Sequence, residues 1–260
     1  MIVREALRVA ELRLAAAGVP SPRVDAELLV AHLLGVKRSA VYLDPEVDVD
    51  GLEPLLSRRE GREPLAYVIG EWGFRGLVLK TDPRALVPRP ETETVVERAL
   101  ALIRDVPQPR VLDIGVGSGA IALAIADEHS GARVTGVDIS RDALALAREN
   151  AERLGVEVEL REGGIDTAAE GWDLVVSNPP YVESLEELDP ELTFEPAAAL
   201  LDAALHGEIA RAAKTTWVVL EVGDEQAPAV ADELAAAGYA DITITRDLSG
   251  RERVVEGRRG

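Results

Sequence analysis

The tetrapeptide Asn178-Pro179-Pro180-Tyr181 is the part of this sequence best suited to hold a reacting group. It follows the run from Trp172 to Ser177, whose apolar, β-branched centre predicts a buried strand. Each proline fixes its own φ and lacks a backbone N–H, so the chain leaves the strand in a rigid turn. Such a turn can present the Asn178 side-chain oxygen and the Pro179 carbonyl so that they accept both hydrogens of one NH2 group. We therefore predict chemistry on a nitrogen atom, the alternative being an ordinary turn after a strand.

A glycine-rich loop forms the second part of the predicted site. The predicted strand Arg110 to Ile114, which contains Asp113, runs directly into Gly115-Val116-Gly117-Ser118-Gly119 and then into an apolar helix. Glycines at such a junction let the backbone approach a ligand closely, with the helix N-terminus facing it. The spacing is not the G-x-G-x-x-G of dinucleotide-binding proteins, and a plain strand-to-helix turn is the alternative.

An acidic residue follows at the end of the next predicted strand, Arg133 to Val137. There Asp138 can accept hydrogen bonds from ribose hydroxyls, or it can cap the helix that begins near Ser140. The carboxyl ends of parallel strands meet along one edge of a sheet. We therefore expect the tetrapeptide, the glycine loop and Asp138 to line one crevice.

Composition excludes several kinds of function. Cysteine is absent, and His32, His129 and His206 have no spacing typical of a metal site, so we expect surface or half-buried histidines and no metal. The 47 acidic and 28 basic residues give a net charge of −19, which disfavours direct nucleic-acid binding and suits a basic protein partner. No apolar run approaches the ~18 residues of a membrane span, and no secretory signal is evident, so we expect a cytoplasmic protein.

The elements that must position these residues fall into three parts. Residues 1–69 have helical periodicity and predict a small all-α domain. Its predicted helices are Ile2 to Ala17, Asp25 to Leu34, Ser39 to Leu43, Asp50 to Arg59 and Pro64 to Val68. Residues 70–90, rich in glycine and proline, predict a β-hairpin and an extended linker.

Residues 91–260 predict a third, α/β part. After a helix from Glu91 to Arg104, strands and helices alternate, which predicts a mostly parallel seven-stranded sheet covered by helices on both faces. The last two predicted strands have no helix between them and should therefore pair antiparallel at one edge. Beyond those already given, the predicted strands are Val156 to Arg161, Asp173 to Ser177, Thr216 to Glu221, Asp241 to Thr245 and Glu252 to Glu256. The predicted helices are Ala120 to Glu128, Arg141 to Leu154, Leu205 to Lys214 and Gln226 to Ala237.

The chain resembles the S-adenosylmethionine-dependent N-methyltransferases with a seven-stranded, Rossmann-like sheet. The features that carry the resemblance are the segment from Asp113 to Gly119, Asp138 and the tetrapeptide. Three further features resemble the release factor glutamine N5-methyltransferases, the PrmC or HemK family. They are the helical N-terminal part, the motif from Val87 to Glu93, and the closing segment from Asp247 to Arg253. The resemblance covers essentially the whole chain.

The resemblance implies a reaction and a set of site residues. The reaction is methyl transfer from S-adenosyl-L-methionine to the glutamine of the Gly-Gly-Gln motif in class I peptide-chain release factors, which modulates translation termination. The residues implied for the cofactor are Asp113, Gly115, Val116, Gly117, Ser118, Gly119, Asp138 and Asn178. Those implied for the target amide are Asn178, Pro179, Pro180 and Tyr181, of which Asn178, Pro179 and Tyr181 would be catalytic. The helical domain would recognise the release factor, or would alternatively only stabilise the larger domain.

The sequence departs from the family pattern at three places. Val116 stands where the family often has threonine, and Gly163 to Asp166 replaces a pair that usually includes an aromatic residue. The stretch Ala197 to Glu208 lacks the usual glycine-containing turns and is shortened.

Four other functions remain as alternatives at this stage. An adenine-N6 nucleic-acid methyltransferase uses the same tetrapeptide, but it usually needs a basic, aromatic-rich surface, and only 3% of the residues here are aromatic. Methylation of another protein or of a small molecule, an NAD-dependent oxidoreductase and an inactive binding module are the others.

Overall fold

The computed structural model describes residues 1–44, 46–181, 189–200 and 205–259. The chain forms two compact units, of which the first contains residues Met1–Glu71 and Asp189–Phe194 and the second contains Trp72–Leu188 and Glu195–Gly260.

The first unit is helical. Its helices are α1 (Val3–Ala16), α2 (Pro22–Leu34), α3 (Leu52–Glu60) and α4 (Leu65–Ile69). The buried stripe of α1 follows the predicted periodicity and consists of Val3, Ala6, Leu7, Ala10 and Leu14. The prediction of a helix from Ser39 to Leu43 is wrong, because the chain forms only a short 3₁₀ turn at Arg38–Ala40. Tyr42 and Leu43 are 49% and 83% exposed, so this segment has no continuous apolar face that would stabilise a longer helix.

The second unit begins with the expected hairpin and continues as an α/β sheet. Strands β1 (Glu71–Phe74) and β2 (Leu77–Lys80) form a two-stranded sheet. The larger sheet contains β3 (Arg110–Ile114), β4 (Arg133–Asp138), β5 (Glu159–Glu162), β6 (Trp172–Ser177), β7 (Thr215–Glu221), β8 (Ala240–Arg246) and β9 (Glu252–Arg258). The helices are α5 (Thr92–Ile103), α6 (Ala120–Glu128), α7 (Arg141–Leu154), α8 (Leu205–Ala212) and α9 (Ala227–Ala236).

The order of the seven strands is β5-β4-β3-β6-β7-β9-β8. The pairs β4–β5, β3–β4, β3–β6 and β6–β7 are parallel, which confirms the predicted parallel sheet. Strands β8 and β9 pair antiparallel, as predicted, and β9 lies between β7 and the edge strand β8. The expected strand from Val156 to Arg161 is shorter than predicted and begins only at Glu159.

Among the described residues, two large apolar clusters make up most of the core of this unit, one on each face of the sheet. In β3, Val111 belongs to a cluster that includes residues of α5, α6 and α7, whereas its neighbour Leu112 belongs to one that includes residues of α8 and α9. The alternation follows because successive side chains of a strand point to opposite faces. The central strands β3 and β6 are therefore buried on both sides, whereas the edge strands β5 and β8 are partly exposed.

Within the described ranges, no helix is both long and apolar enough to cross a bilayer. The same ranges contain no group of three or more side chains that could hold a metal ion. His32 is exposed and His129 is half-buried, as expected, whereas His206 is fully buried on α8. Its Nε2 atom lies 2.8 Å from the Glu221 carbonyl oxygen of β7, so the ring links a helix to the sheet.

Candidate active site

The carboxyl ends of β3 and β6 lie side by side and are linked by a hydrogen bond. Ile114 is in register with Ser177, and the Ser177 hydroxyl donates to the Ile114 carbonyl oxygen over 2.7 Å. Since neighbouring strands lie about 4.8 Å apart, Gly115 and Asn178 leave the sheet as neighbours. The glycine loop and the tetrapeptide therefore start from the same point of the sheet edge, as the sequence predicts.

The glycine loop has the backbone conformation of a ligand cradle. Gly115, Gly117 and Gly119 have φ values of +72°, +55° and +90°, a region that favours glycine. A Cβ atom built on Gly115 would meet no other atom within 4 Å, so the backbone there faces open space. A Cβ atom on Gly119 would lie 2.8 Å from Leu123 Cδ1, which keeps the start of α6 close to the loop. The loop thus has room for a ligand at its open face and close packing behind it.

The two non-glycine residues of the loop face inward. Val116 and Ser118 are both 4% exposed, and the Ser118 carbonyl oxygen accepts a hydrogen bond from Asn150 Nδ2 over 2.9 Å. A Cβ atom built on Gly136 of β4 would lie 2.6 Å from Val116 Cγ2, so the valine side chain occupies the space above that glycine. The Val116 N–H donates to the Val137 carbonyl oxygen and its carbonyl oxygen accepts from the Gly119 N–H, so the backbone of Val116 is already bonded within the protein. The replacement of threonine by Val116 therefore concerns packing.

Asp138 joins the glycine loop to the end of β4. Its Oδ2 atom accepts a hydrogen bond from the Gly117 N–H over 3.0 Å, and its Oδ1 atom accepts one from the Ser140 N–H over 2.8 Å. The helix α7 is capped by the Ser140 side chain, which accepts from the Ala143 N–H, so Asp138 is not the capping residue. Each carboxylate oxygen can accept a further hydrogen bond, and the half-buried Asp138 is well placed to take ribose hydroxyls.

Asp113, in contrast, has its side chain in the interior. It is 1% exposed, and its Oδ2 atom accepts a hydrogen bond from the Ala122 N–H in the first turn of α6. Burial, followed by the negative charge of Asp138, raises the pKa of Asp113 to about 8. The carboxyl group is therefore placed to hold α6 against β3, directly behind the loop.

An apolar side chain lies where the sequence lacks an aromatic residue. A Cβ atom built on Gly164 would lie 3.6 Å from Ile139 Cγ2, and Ile139 is 74% exposed although it directly follows Asp138. The short stretch from Gly163 to Asp166 thus faces an exposed apolar side chain next to the predicted ribose-binding acid. Within the shortened stretch Ala197 to Glu208, residues 201–204 lie outside the described residues.

The tetrapeptide presents one side-chain oxygen of Asn178. The Nδ2 atom of Asn178 donates to Thr92 Oγ1 over 3.3 Å, at the start of α5. With its nitrogen bound in this way, Asn178 has the oxygen Oδ1 left to accept a hydrogen bond from a substrate. Asn178 is half-buried, Pro179 is buried and Pro180 is half-buried, so the turn is packed on one side and accessible on the other.

Tyr181 is held in place by a glutamine from the next loop. Gln226 accepts from the Gly223 N–H over 2.9 Å and donates to the Tyr181 carbonyl oxygen over 3.0 Å. A Cβ atom on Gly223 would lie 2.9 Å from Tyr181 Cδ2, so the ring lies directly against this glycine. Burial, followed by the negative charge of Glu221, raises the pKa of Tyr181 to about 12. The phenol is therefore neutral at physiological pH.

Three residues around the tetrapeptide were not predicted as site residues, namely Thr92, Glu221 and Gln226. Thr92 lies in the motif from Val87 to Glu93, so the sequence contained a hint of its importance. Glu221 ends the apolar run of β7 and is 1% exposed, which is unusual for a carboxylate. Gln226 has no comparable sequence feature.

Two family models match the chain. One is described as the PrmC N-terminal domain and matches residues 5–70, and the other is described as the methyltransferase small domain and matches residues 97–204.

Curated relatives match over nearly their whole length. A protein from Deinococcus radiodurans is 42% identical and covers 100% of this chain and 99% of its own. Proteins from Streptomyces coelicolor (41% identical, covering 95% of this chain and 94% of their own) and Vibrio cholerae (38%, covering 98% and 96%) are also similar. All three are named release factor glutamine methyltransferase.

Solved structures support the fold. The hMettl16 catalytic domain, solved with an RNA hairpin, has a TM-score of 0.56 at 14% identity and covers 70% of this chain and 76% of its own. A methyltransferase from Pyrococcus furiosus has a TM-score of 0.52 at 20% identity, covering 71% of this chain and 90% of its own. At these identities the likeness concerns the architecture of the sheet and its helices.

Proposed function

The chain belongs to the release factor glutamine methyltransferases, and from that premise we propose which of its residues perform the reaction. It is an S-adenosylmethionine-dependent enzyme that methylates the side-chain amide of a release factor glutamine. The observation that carries the assignment of residues is the hydrogen bond from Asn178 Nδ2 to Thr92, because it leaves Oδ1 for the substrate.

Asn178 and Pro179 bind the target amide. The Asn178 Oδ1 atom and the Pro179 carbonyl oxygen accept the two amide hydrogens, which fixes the plane of the amide and orients its nitrogen. An amide nitrogen is a weak nucleophile because its lone pair is delocalised into the carbonyl group. Two acceptors on its hydrogens favour the positive charge that develops on nitrogen as it attacks. Positioning of this kind can contribute roughly 7–11 kcal/mol to lowering a barrier.

The glycine loop and Asp138 bind the cofactor. The open space at Gly115 would admit the cofactor, Asp138 would accept hydrogen bonds from its ribose, and the exposed Ile139 would pack against its base. S-adenosylmethionine supplies an electrophilic methyl group on a positively charged sulfur. On transfer the amide nitrogen would gain the methyl group, the sulfur would keep the electrons of the bond that breaks, and the nitrogen would release a proton afterwards. Tyr181, a neutral phenol, packs against the planar amide and excludes water from it.

The finer substrate assignment is the N5 atom of the glutamine in the Gly-Gly-Gln motif of class I release factors. The first unit, Met1–Glu71 with the segment Asp189–Phe194, recognises the folded release factor. Its match to a family model of its own and its location outside the sheet support this role. The net charge of −19 suits a basic protein partner better than a nucleic acid.

The test is methyl transfer to a purified release factor, with the modified residue mapped by mass spectrometry. We expect modification of the glutamine in the Gly-Gly-Gln motif, and a much lower kcat/KM for a short peptide that contains this motif. Modification of another residue, or of nucleic acid instead, would overturn the proposed function. Equal kcat/KM for the peptide and the intact factor would overturn the recognition role of the first unit.

A first prediction concerns Asn178→Ala. We expect kcat to fall about 100-fold or more, the scale for loss of one group that stabilises developing charge. We expect the Kd for S-adenosylmethionine, measured by calorimetry, to stay within about threefold. The control is Gln108→Ala, which removes an exposed carboxamide at the opposite end of β3. If Asn178→Ala methylated at the rate of this control, the proposed role of Asn178 would be wrong.

A further inference from the structure

We propose that Thr92 and Glu221 are positioning residues that determine which way the Asn178 carboxamide points. This inference rests on the proposed function, since it matters only if Asn178 Oδ1 receives the substrate amide.

A hydroxyl group alone cannot orient the Asn178 side chain. Thr92 Oγ1 can accept a hydrogen bond from Asn178 Nδ2, or it can donate one to Oδ1 if the carboxamide is turned by 180°. In the second arrangement the Asn178 oxygen is occupied and the NH2 group faces the substrate. The NH2 groups of Asn178 and of the substrate amide would then face each other, and Asn178 could not accept a hydrogen bond from the substrate. A group that accepts a hydrogen bond from the Thr92 hydroxyl is therefore needed to select the first arrangement.

Glu221 is such a group. Ser177 of β6 is in register with Leu220 of β7, so Asn178 and Glu221 follow the same step of two neighbouring parallel strands. The Glu221 side chain is 1% exposed, and its Oε2 atom has no hydrogen-bond partner among the described residues. Thr92, at the start of α5, is 4% exposed, and its hydroxyl is close enough to lower the pKa of this carboxyl group.

The charge of Glu221 determines whether the Thr92 hydroxyl donates to Glu221 or to Asn178. An ionised carboxylate can only accept hydrogen bonds, so the Thr92 hydroxyl donates to it and a threonine lone pair is left to accept from Asn178 Nδ2. A protonated carboxyl group can itself donate to Thr92. The threonine proton is then free to turn toward Asn178 Oδ1, and the substrate-binding arrangement is no longer selected.

Several groups face Glu221 and set its ionisation. Burial, the largest influence, raises the pKa of Glu221 to about 7, and the negative charge of Glu91 acts in the same direction. The Thr92 hydroxyl, the positive charge of Arg253 on β9 and the Tyr181 phenol act to lower it. From α8, the His206 ring is hydrogen-bonded to the backbone carbonyl of Glu221. Methyl transfer should therefore rise with pH through the neutral range as Glu221 loses its proton.

The first experiment compares Thr92→Val with Thr92→Ser. Valine has nearly the shape of threonine but no hydroxyl, whereas serine keeps the hydroxyl. With a release factor as substrate, we expect Thr92→Val to lower kcat about tenfold or more, the scale of one lost hydrogen bond to a substrate-binding group. We expect Thr92→Ser to retain kcat within about threefold, and the Kd for S-adenosylmethionine to be unchanged in both variants.

The second experiment measures the pH profile of kcat for the wild type and for Glu221→Gln. Glutamine has the size of glutamate and can still accept from Thr92, but it does not titrate. We expect the wild type to lose activity on the acid side of neutrality and Glu221→Gln to show no such acid limb. A merely structural role of Glu221 would lower the activity of the variant equally at every pH.

The possible outcomes separate this inference from the function on which it rests. Absence of transfer to the release factor by the wild type would overturn the proposed function and the inference together. Normal transfer by the wild type, with kcat unchanged in Thr92→Val or an acid limb retained in Glu221→Gln, would overturn the inference alone. So would a loss of cofactor affinity parallel to the loss of kcat, because it would mark Thr92 as a structural residue.

Discussion

The Asp113 carboxyl group lies in the core at the end of β3, where one of its oxygens has no hydrogen-bond partner among the described residues. Its pKa of about 8, raised by burial, means that the folded protein holds a proton that the unfolded chain releases near pH 3.8. The folded state therefore binds more protons than the unfolded state between these values. The contribution of Asp113 to the free energy of unfolding is therefore present at low pH and is lost as the pH rises toward 8.

We accordingly expect the free energy of unfolding of the wild type to fall by roughly 3–5 kcal/mol between pH 4 and pH 8 from this group alone. Asp113→Asn, which is always neutral and has nearly the same shape, should lack this fall. Urea denaturation at several pH values gives the comparison. Asp105→Asn, which changes the charge equally at an exposed carboxyl group, is the control and should follow the wild type. A fall that is equal in all three proteins would show that Asp113 is ionised in the folded state.

At the scale of single residues, the sequence indicates the groups that are proposed to touch a ligand, whereas the groups that support them leave little trace in it. Asn178 and Asp138 could be found because a strand ends directly before or at each of them, in chain-local patterns. The pairing of Thr92 with Asn178 joins a residue of α5 to one that directly follows β6, and the two are far apart in the chain. Only the strand order brings Glu221 next to them, and strand order is not written in any local pattern.

At the scale of secondary-structure elements, the contact of Val116 with Gly136 determines how closely the glycine loop lies on β4. A Cβ atom at Gly136 would lie 2.6 Å from Val116 Cγ2 and 3.0 Å from Leu160 Cδ2. Gly136 therefore provides the space that the buried valine fills. Val116 is part of the glycine loop and is buried. We therefore expect that pushing its side chain away from Gly136 shifts the loop backbone that is proposed to hold the cofactor.

Gly136→Ala should thus weaken cofactor binding although residue 136 does not touch the proposed site. We expect overpacking to lower the free energy of unfolding by about 1–3 kcal/mol and to raise the Kd for S-adenosylmethionine several-fold. Calorimetric titration and urea denaturation measure the two effects. The double variant Gly136→Ala/Val116→Ala should regain much of both, because the smaller loop residue restores the space.

The control for this pair is Gly73→Ala in β1, where a Cβ atom would meet nothing within 4 Å. It should bind the cofactor like the wild type. Equal affinities for Gly136→Ala and this control would show that the loop accommodates the added methyl group without moving, against the prediction.

Elements with a strong period and clear end signals were predicted to within a few residues. Helices α6 and α7 have the predicted bounds, and the two-residue connection between β1 and β2 produces the expected hairpin. The insertion of β9 between β7 and β8 was not predicted, because an antiparallel pair at a sheet edge can attach through either of its strands. The short 3₁₀ turn at Arg38–Ala40 shows the other limit, since a helical pattern without an apolar face to bury does not maintain a helix.

For the whole molecule, the segment Asp189–Phe194 belongs to the helical unit, although the chain reaches it only after β6. Glu191 accepts hydrogen bonds from Arg59 over 2.9 Å and from Arg62 over 2.6 and 2.8 Å. Although burial opposes it, hydrogen bonding from Arg62 and Arg59 lowers the pKa of Glu191. A division of the sequence at residue 69 missed this segment, because ion pairs between distant residues leave no periodic pattern.

Arg59 is the centre of this arrangement, and its removal should release the segment. It is 5% exposed and also donates to Asp25 Oδ2 over 2.7 Å, so Arg59→Ala leaves two carboxylates without their buried partner. We expect a loss of about 3–5 kcal/mol in the stability of this unit and faster hydrogen exchange at residues 189–194, measured by mass spectrometry.

The control Arg4→Ala breaks an exposed pair with Glu46, with side chains 71% and 62% exposed, and should cost under about 1 kcal/mol. If exchange at 189–194 were as slow in Arg59→Ala as in Arg4→Ala, the segment would be held by its other contacts, and the ion pairs would contribute little to its attachment.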